Sequence, residues 1–182
     1  MTAPLSATGR VILGMIARGK RSGYEIKQLV DRSTRYFWAA SYGQIYPELR
    51  RLEEAGLVRG RSDPSGARAK MAYELTEEGE AALRDWLTDA TGLTYELRDE
   101  AMLKLFFSDL EPGTALKTVG AMRALHEAKH EQLRAIRAAA PEMPAGPALT
   151  LELGLGLTSW LVDWCRATEE RLARESHVKV EV

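Results

Sequence analysis

Ser41-Tyr42-Gly43-Gln44-Ile45-Tyr46-Pro47-Glu48-Leu49-Arg50-Arg51-Leu52-Glu53-Glu54-Ala55-Gly56-Leu57-Val58 is the stretch on which the reading of the fold depends. Ser41 has the chemistry of an N-cap and Gly56 that of a C-terminal stop, which predicts a helix from Ser41 to about Ala55. On a helical wheel Ile45, Leu49 and Leu52 share one face and dock on whatever precedes them. Gln44, Pro47, Arg50 and Arg51 point away, Gly43 lies close to them, Tyr46 sits at the edge and Tyr42 falls nearer the core. An exposed face carrying an amide, a phenol and guanidinium groups fits the major groove of DNA, where Gln reads adenine and Arg reads guanine or clamps a phosphate. Gly43 lets backbone approach backbone, and Pro47 removes one helical N–H, so distortion of the first turns is expected. Two plainer roles stay open: Tyr42 and Tyr46 covering the edge of the core, and Arg50 and Arg51 pairing with Glu53 and Glu54.

Upstream, Leu5 to Ala17 places Ile12, Met15 and Ile16 on one stripe, with Gly19 as a stop. Ser22 or Gly23 begins a second helix in which Ile26, Leu29 and Val30 repeat the pattern, and a link through Phe37 and Trp38 leads to Ser41. Downstream the period changes. Leu57 to Arg61 is extended, Asp63-Pro64-Ser65-Gly66 has the residues of a type I turn, and Met71, Tyr73 and Leu75 alternate with Lys70, Ala72 and Glu74. This hairpin is flanked by Arg59, Arg61, Arg68 and Lys70. Long cations at a loop tip suit phosphate contacts better than base reading. Thr76 then caps a helix with Glu77, Glu78 and Glu80 in its first turn and Ala82, Leu83, Trp86 and Leu87 as its apolar stripe; Gly92 ends it.

Three helices, a two-stranded wing and a fourth helix are the order of a winged helix-turn-helix. The chain is thus expected to be mainly α, with a winged-helix DNA-binding domain over residues 1–92 and an all-α domain for dimerisation or effector binding over residues 93–182. The expected DNA-binding set is Tyr24, Lys27, Ser41, Tyr42, Gln44, Tyr46, Arg50, Arg51, Arg61, Arg68 and Lys70.

Beyond the boundary the sequence predicts helices over about Asp99–Asp109, from after Pro112 to about Ala140, and over about Ala148–Glu175, with the break at Pro141 to Pro147. The second has a thin seam of Leu116, Val119, Met122, Leu125, Leu133 and Ile136. In the third, Leu149, Leu151, Leu153, Leu155 and Leu157 alternate as in a strand, yet no neighbouring segment offers a pairing partner. On the wheel Leu149, Leu153, Leu157, Trp160 and Trp164 share one face while Leu151 and Leu155 lie opposite, and a helix apolar on two sides is covered on both. A second subunit would supply the missing surface, so Phe106, Leu153, Leu157, Trp160 and Trp164 are expected at a dimer interface or an effector pocket.

Charge and composition narrow the function. Residues 1–75 carry 13 Lys+Arg against 7 Asp+Glu, and residues 76–182 carry 12 against 19, although the 182-residue chain is −1 overall. A basic half joined to an acidic one suits a nucleic-acid partner for the basic end. One cysteine, Cys165, excludes an internal disulfide or a cysteine-based zinc site. No apolar run is long enough for a membrane span and no signal peptide is visible, so a soluble cytoplasmic protein is expected. His126 and His130 have the i, i+4 spacing of metal ligands, but no third histidine or HExxH pattern accompanies them, and a solvated face is the simpler reading. No nucleophile elbow, Walker loop or dinucleotide turn is present; neither an enzyme nor a cofactor or metal site is expected.

The residues of the first paragraph, with Gly23-Tyr24-Glu25-Ile26, Trp38, Tyr73, Leu75-Thr76 and Gly79 in order, resemble the PadR family of bacterial transcriptional regulators. Leu103-Lys104-Leu105-Phe106-Phe107 is similar to the start of the long helical C-terminal domain of one branch. The resemblance implies a homodimer that binds double-stranded operator DNA, usually as a repressor, and in many relatives is released by a small aromatic or lipophilic effector. It also implies that Tyr42, Gln44 and Tyr46 face DNA. A winged helix that docks another protein, without direct operator binding, is the alternative.

Overall fold

Capping chemistry sets where the helices begin. In the computed structural model, which describes residues 5–63, 70–91, 93 and 97–178, helix α1 (Ala7–Ala17) starts two residues later than expected because Ser6 turns out as its cap, accepting the Gly9 N–H at 2.9 Å. Helix α2 (Gly23–Arg32) is held by a reciprocal box: the Ser22 Oγ accepts the Glu25 N–H at 3.2 Å, and a Glu25 oxygen accepts the Ser22 N–H at 3.0 Å. A short 3-10 turn, Thr34–Tyr36, links it to α3 (Tyr42–Glu54). Gly56 ends α3 at φ +71°, a conformation that costs a side-chain-bearing residue energy.

Strands β1 (Val58–Asp63) and β2 (Lys70–Leu75) pair antiparallel with Val58 opposite Leu75 and Asp63 opposite Lys70. The turn at Pro64 to Gly66, together with Arg68, lies outside the described residues. Met71 departs from the alternating pattern: Tyr73 is buried, but Met71 is exposed, because the hairpin runs out beyond the body that covers its base. Helix α4 (Glu77–Thr88) is capped by Thr76, whose hydroxyl accepts the Gly79 N–H at 3.0 Å and donates to the Gly56 carbonyl at 2.6 Å. It stops at Thr88, four residues before Gly92, which is also outside the described residues.

The core of this part joins Ile12, Leu13 and Ile16 of α1, Ile26 and Val30 of α2, and Ile45, Leu49 and Leu52 of α3 to Val58, Tyr73 and Leu83. Burying each such aliphatic side chain contributes about 1.5–3 kcal/mol. The α3 residues assigned to the core by period are thus fully buried, which fixes the opposite side of that helix outward.

The chain divides into two compact units, Met1–Thr94 and Tyr95–Val182. In the second, α5 (Glu100–Phe106) is shorter than expected and is followed by a separate 3-10 turn, Ser108–Leu110. Helix α6 (Thr114–Ala139) packs along α7 (Ala145–Val178). Helix α7 begins three residues early because Pro147 sits in its first turn, where no N–H is needed. Val119, Met122 and Leu133 of the α6 seam are buried, whereas Leu116 and Leu125 are exposed. The double coverage of α7 does not occur within the chain. Leu151, Thr158, Val162, Cys165 and Thr168 are buried, while Leu149, Leu153, Leu157 and Trp160 are exposed.

Candidate nucleic-acid interface

Each flank of α3 is tied to a different neighbour, and the ridge between them is open. On one flank, the Tyr46 ring lies over Gly23 of α2, where a Cβ would come within 2.7 Å of it. Tyr46 stacks on Tyr42, with ring centroids 6.1 Å apart and planes at 17°, and the Lys27 ammonium stands 5.6 Å from the Tyr42 ring. Both tyrosines are exposed, at 43% and 44%. Tyr42 is therefore not a core-edge residue, as the wheel suggested; as the first residue of α3 it lies beyond the reach of the packed turns. Tyr24 is also exposed and accepts a hydrogen bond from the Gln28 amide at 2.7 Å.

On the other flank, Glu48 turns toward α1. It accepts hydrogen bonds from Ser6 Oγ at 2.5 Å and from Arg51 at 2.6 and 3.0 Å. Its partner is thus three residues away, rather than Glu53 or Glu54 pairing with Arg51. The Arg51 guanidinium, chiefly, holds the Glu48 carboxyl below the usual carboxylate range, helped by Ser6 and opposed by burial. Glu53 instead accepts the Gly60 N–H of β1 at 3.0 Å.

Gln44, Pro47 and Arg50 form the open ridge, all exposed. The Gln44 Oε1 reaches back to the Ser41 N–H at 2.9 Å and the Ser41 hydroxyl at 3.1 Å, so its carbonyl serves the helix start while its NH2 points to no protein acceptor among the described residues. Bidentate adenine reading therefore requires the Ser41 hydroxyl to let go. Contrary to expectation, α3 runs unbroken through Pro47. The carbonyl that loses its donor belongs to exposed Gly43, where water can replace the bond.

The cations differ in how free they are. Lys27 pairs with Asp31, Arg61 with Glu74 at 2.9 Å across the wing, and Arg51 with Glu48. Arg50 and Arg59 form no ion pair among the described residues; Arg59 was not in the expected set, since nothing in its sequence neighbourhood marks it apart from Arg61. Lys70 opposes Asp63 in the backbone register.

In the second unit Phe106, Leu153, Leu157 and Trp160 are exposed, and Trp164 packs partly against the cluster of Val119, Met122 and Cys165. Burial pushes the Cys165 thiol pKa up, so it stays protonated. His130 Nδ1 lies 2.9 Å from the Thr158 hydroxyl, and the described residues hold no group of three His, Cys, Asp or Glu side chains placed to share a metal. His126 has a buried Nδ1 with no hydrogen-bond partner, and its pKa is lowered by burial and by Lys129, against Asp99. A histidine titrating lower in the folded state costs stability once pH falls below its unfolded value, because the unfolded chain binds the additional proton. The helical unit should therefore melt at a lower temperature near about pH 5.5 than near about pH 7.5, and His126→Gln should shrink that gap. An undiminished gap in the variant would assign the effect to other groups.

Comparison with known proteins places this architecture. Residues 12–85 match the model of the transcriptional regulator PadR-like family, and residues 97–173 match that of the virulence activator alpha C-terminal region. The chain is 37% identical over 97 residues to the negative transcriptional regulator PadR of Bacillus subtilis, a match covering 53% of each protein, so it spans about half that relative's length. It is 32% identical over 133 residues to a probable transcriptional regulator of Mycobacterium tuberculosis, covering 72% of this chain and 68% of that one. Among solved structures, B. subtilis PadR in complex with operator DNA superposes with a TM-score of 0.79 at 29% identity, over 90% of this chain and 97% of that one. The same protein in complex with p-coumaric acid gives 0.76 at 26% identity, over 95% and 99%. No helix among the described residues is long and apolar enough to cross a membrane. With a capped, outward-facing third helix, a two-stranded wing and a helical second unit following them in the chain, the protein belongs to the PadR-like family of transcriptional regulators.

Proposed function

We propose that this protein binds operator DNA as a homodimer and represses transcription, with α3 in the major groove and the wing along the backbone. The observation that carries this reading is the ridge of α3: Tyr42, Gln44, Tyr46 and Arg50 are exposed while Ile45, Leu49 and Leu52 on its back are fully buried. Arg50, Arg59 and Arg61 supply phosphate contacts, with Tyr24, Lys27 and Ser41 beside them and Arg68 and Lys70 farther out on the wing. The structural relative bound to operator DNA supports the same use of this face. The exposed Phe106, Leu153, Leu157 and Trp160 give the C-terminal unit its dimerisation surface. That surface, with Trp164, also offers an aromatic wall to a small aromatic or lipophilic effector, a class that includes the p-coumaric acid bound by the relative.

Selection of duplexes from a random library, followed by binding titrations from about 50 to 200 mM salt, tests the reading. A near-palindromic site with half-sites about 34 Å apart, or a multiple of that, is expected. The log–log salt slope should be about −0.9 per phosphate neutralised. Enrichment of no sequence, with affinity indifferent to salt, would turn the assignment toward a protein-docking winged helix.

A further inference from the structure

We infer that Glu48 is a positioning residue for DNA recognition: bonded to Ser6 and clamped by Arg51, it locks α3 onto α1 and withdraws Arg51 from the cations that neutralise phosphate. This rests on the DNA-binding reading above. Three features of the niche bear on it. The Glu48 side chain is only 12% exposed, against 41% for Arg51. Gly9 of α1 leaves the space that the carboxylate occupies; a Cβ there would stand 2.7 Å from Glu48 Oε1 and 3.2 Å from Ser6 Oγ. Ser6 is committed from both sides, capping α1 through the Gly9 N–H and donating to Glu48, so the carboxylate joins the first turn of α1 to the middle of α3.

The electrostatics follow from that placement. Drawing Arg51 to a phosphate would leave a nearly buried carboxylate with a single hydroxyl partner, a costly state. As a closed pair the two groups sum to zero charge and release no counterion when DNA arrives. The other paired cations differ. The Arg61–Glu74 pair is 66% and 42% exposed, and Asp31 beside Lys27 is 45% exposed, so both pairs can open to DNA at little cost. Arg50, one residue from Arg51 and without an ion pair among the described residues, contrasts with it directly.

The test uses the full chain and its selected duplex, with Arg51→Gln, Arg50→Gln, Glu48→Gln and the conservative Arg51→Lys, each confirmed folded by its melting curve. Arg50→Gln should make the salt slope shallower by about 0.9. Arg51→Gln and Glu48→Gln should weaken binding by on the order of tenfold with the wild-type slope retained, and Arg51→Lys should recover part of the loss. Losing the same slope of about 0.9 in Arg51→Gln as in Arg50→Gln, or unchanged affinity in Glu48→Gln, overturns the inference. Failure of the wild-type chain to bind any duplex is a different result, and it overturns the DNA-binding reading itself.

Discussion

A chain carrying Gln44→Glu together with Arg50→Ala should melt almost like the wild type yet bind its selected duplex on the order of 100- to 1,000-fold more weakly. The two halves of that expectation come from different sides of the same residues. Gln44 sits three residues after the Ser41 cap, and its Oε1 already accepts the Ser41 N–H and hydroxyl. A glutamate there keeps both acceptor bonds and adds negative charge at a helix N-terminus, where the dipole favours it. Stability should therefore stay within about 0.5 kcal/mol of the wild type. In the groove the same glutamate has lost the amide donor and faces phosphate and base acceptors with a charge of the wrong sign. Arg50 is exposed and takes part in no ion pair among the described residues, so its loss removes cationic contact without leaving a buried partner. Each good base contact is worth about 1–3 kcal/mol, which combines to the stated loss. Equal binding by the variant would show that this ridge does not touch DNA.

The second large effect is on folding. Gly79→Ala should destabilise the winged-helix unit by about 3 kcal/mol or more. A Cβ at Gly79 would stand 1.9 Å from the Leu57 carbonyl oxygen and 2.9 Å from its carbon. These are backbone atoms, pinned because the Leu57 carbonyl accepts the Thr76 N–H at 3.2 Å and its own N–H donates to the Leu52 carbonyl at 2.9 Å. Relief would require α4 to lift off the junction of α3 and β1, breaking the Thr76 contacts and uncovering Leu83. For a unit of this size that corresponds to a fall of about 12 °C or more in melting temperature. Gly14 provides the control: it lies inside α1 with nothing within 4 Å of its would-be Cβ, so Gly14→Ala should stabilise by about 0.5–1 kcal/mol. Similar melting curves for the two alanine variants would contradict the close contact at Leu57.

Periodicity made the recognition helix legible. Ile45, Leu49 and Leu52 repeat at helical spacing, and a helix with one apolar stripe has a single way to face a core, so the outward positions of Gln44 and Arg50 follow. The wing was legible through its change to period two, and the family pattern of residues 41 to 58 was plain in the chain alone. Met71 was not, because alternation reports which face of a strand is apolar and says nothing of where the supporting body ends. The Glu48–Arg51 pair had a local signal in its i, i+3 spacing. Its third member, Ser6, lies 42 residues away, beyond the reach of any local pattern.

Helix α7 marks the division most plainly. Its sequence declares two apolar sides without ranking them, since hydrophobic spacing treats Leu151 and Leu153 alike. Tertiary packing chose the side with the smaller residues: Thr158, Cys165 and Thr168 are buried there, and Gly154 lets Leu133 of α6 come within 3.2 Å of where its Cβ would be. Two helix axes approach closely only where side chains are short, so the bulky row of Leu149, Leu153, Leu157 and Trp160 was left outside. The sequence by itself determined the elements, their order and the face of α3 turned outward, because these depend on contacts within a few turns of chain. Only the folded structure decided which cations are already paired and which apolar face stays open, because those depend on groups that meet from far apart in the chain.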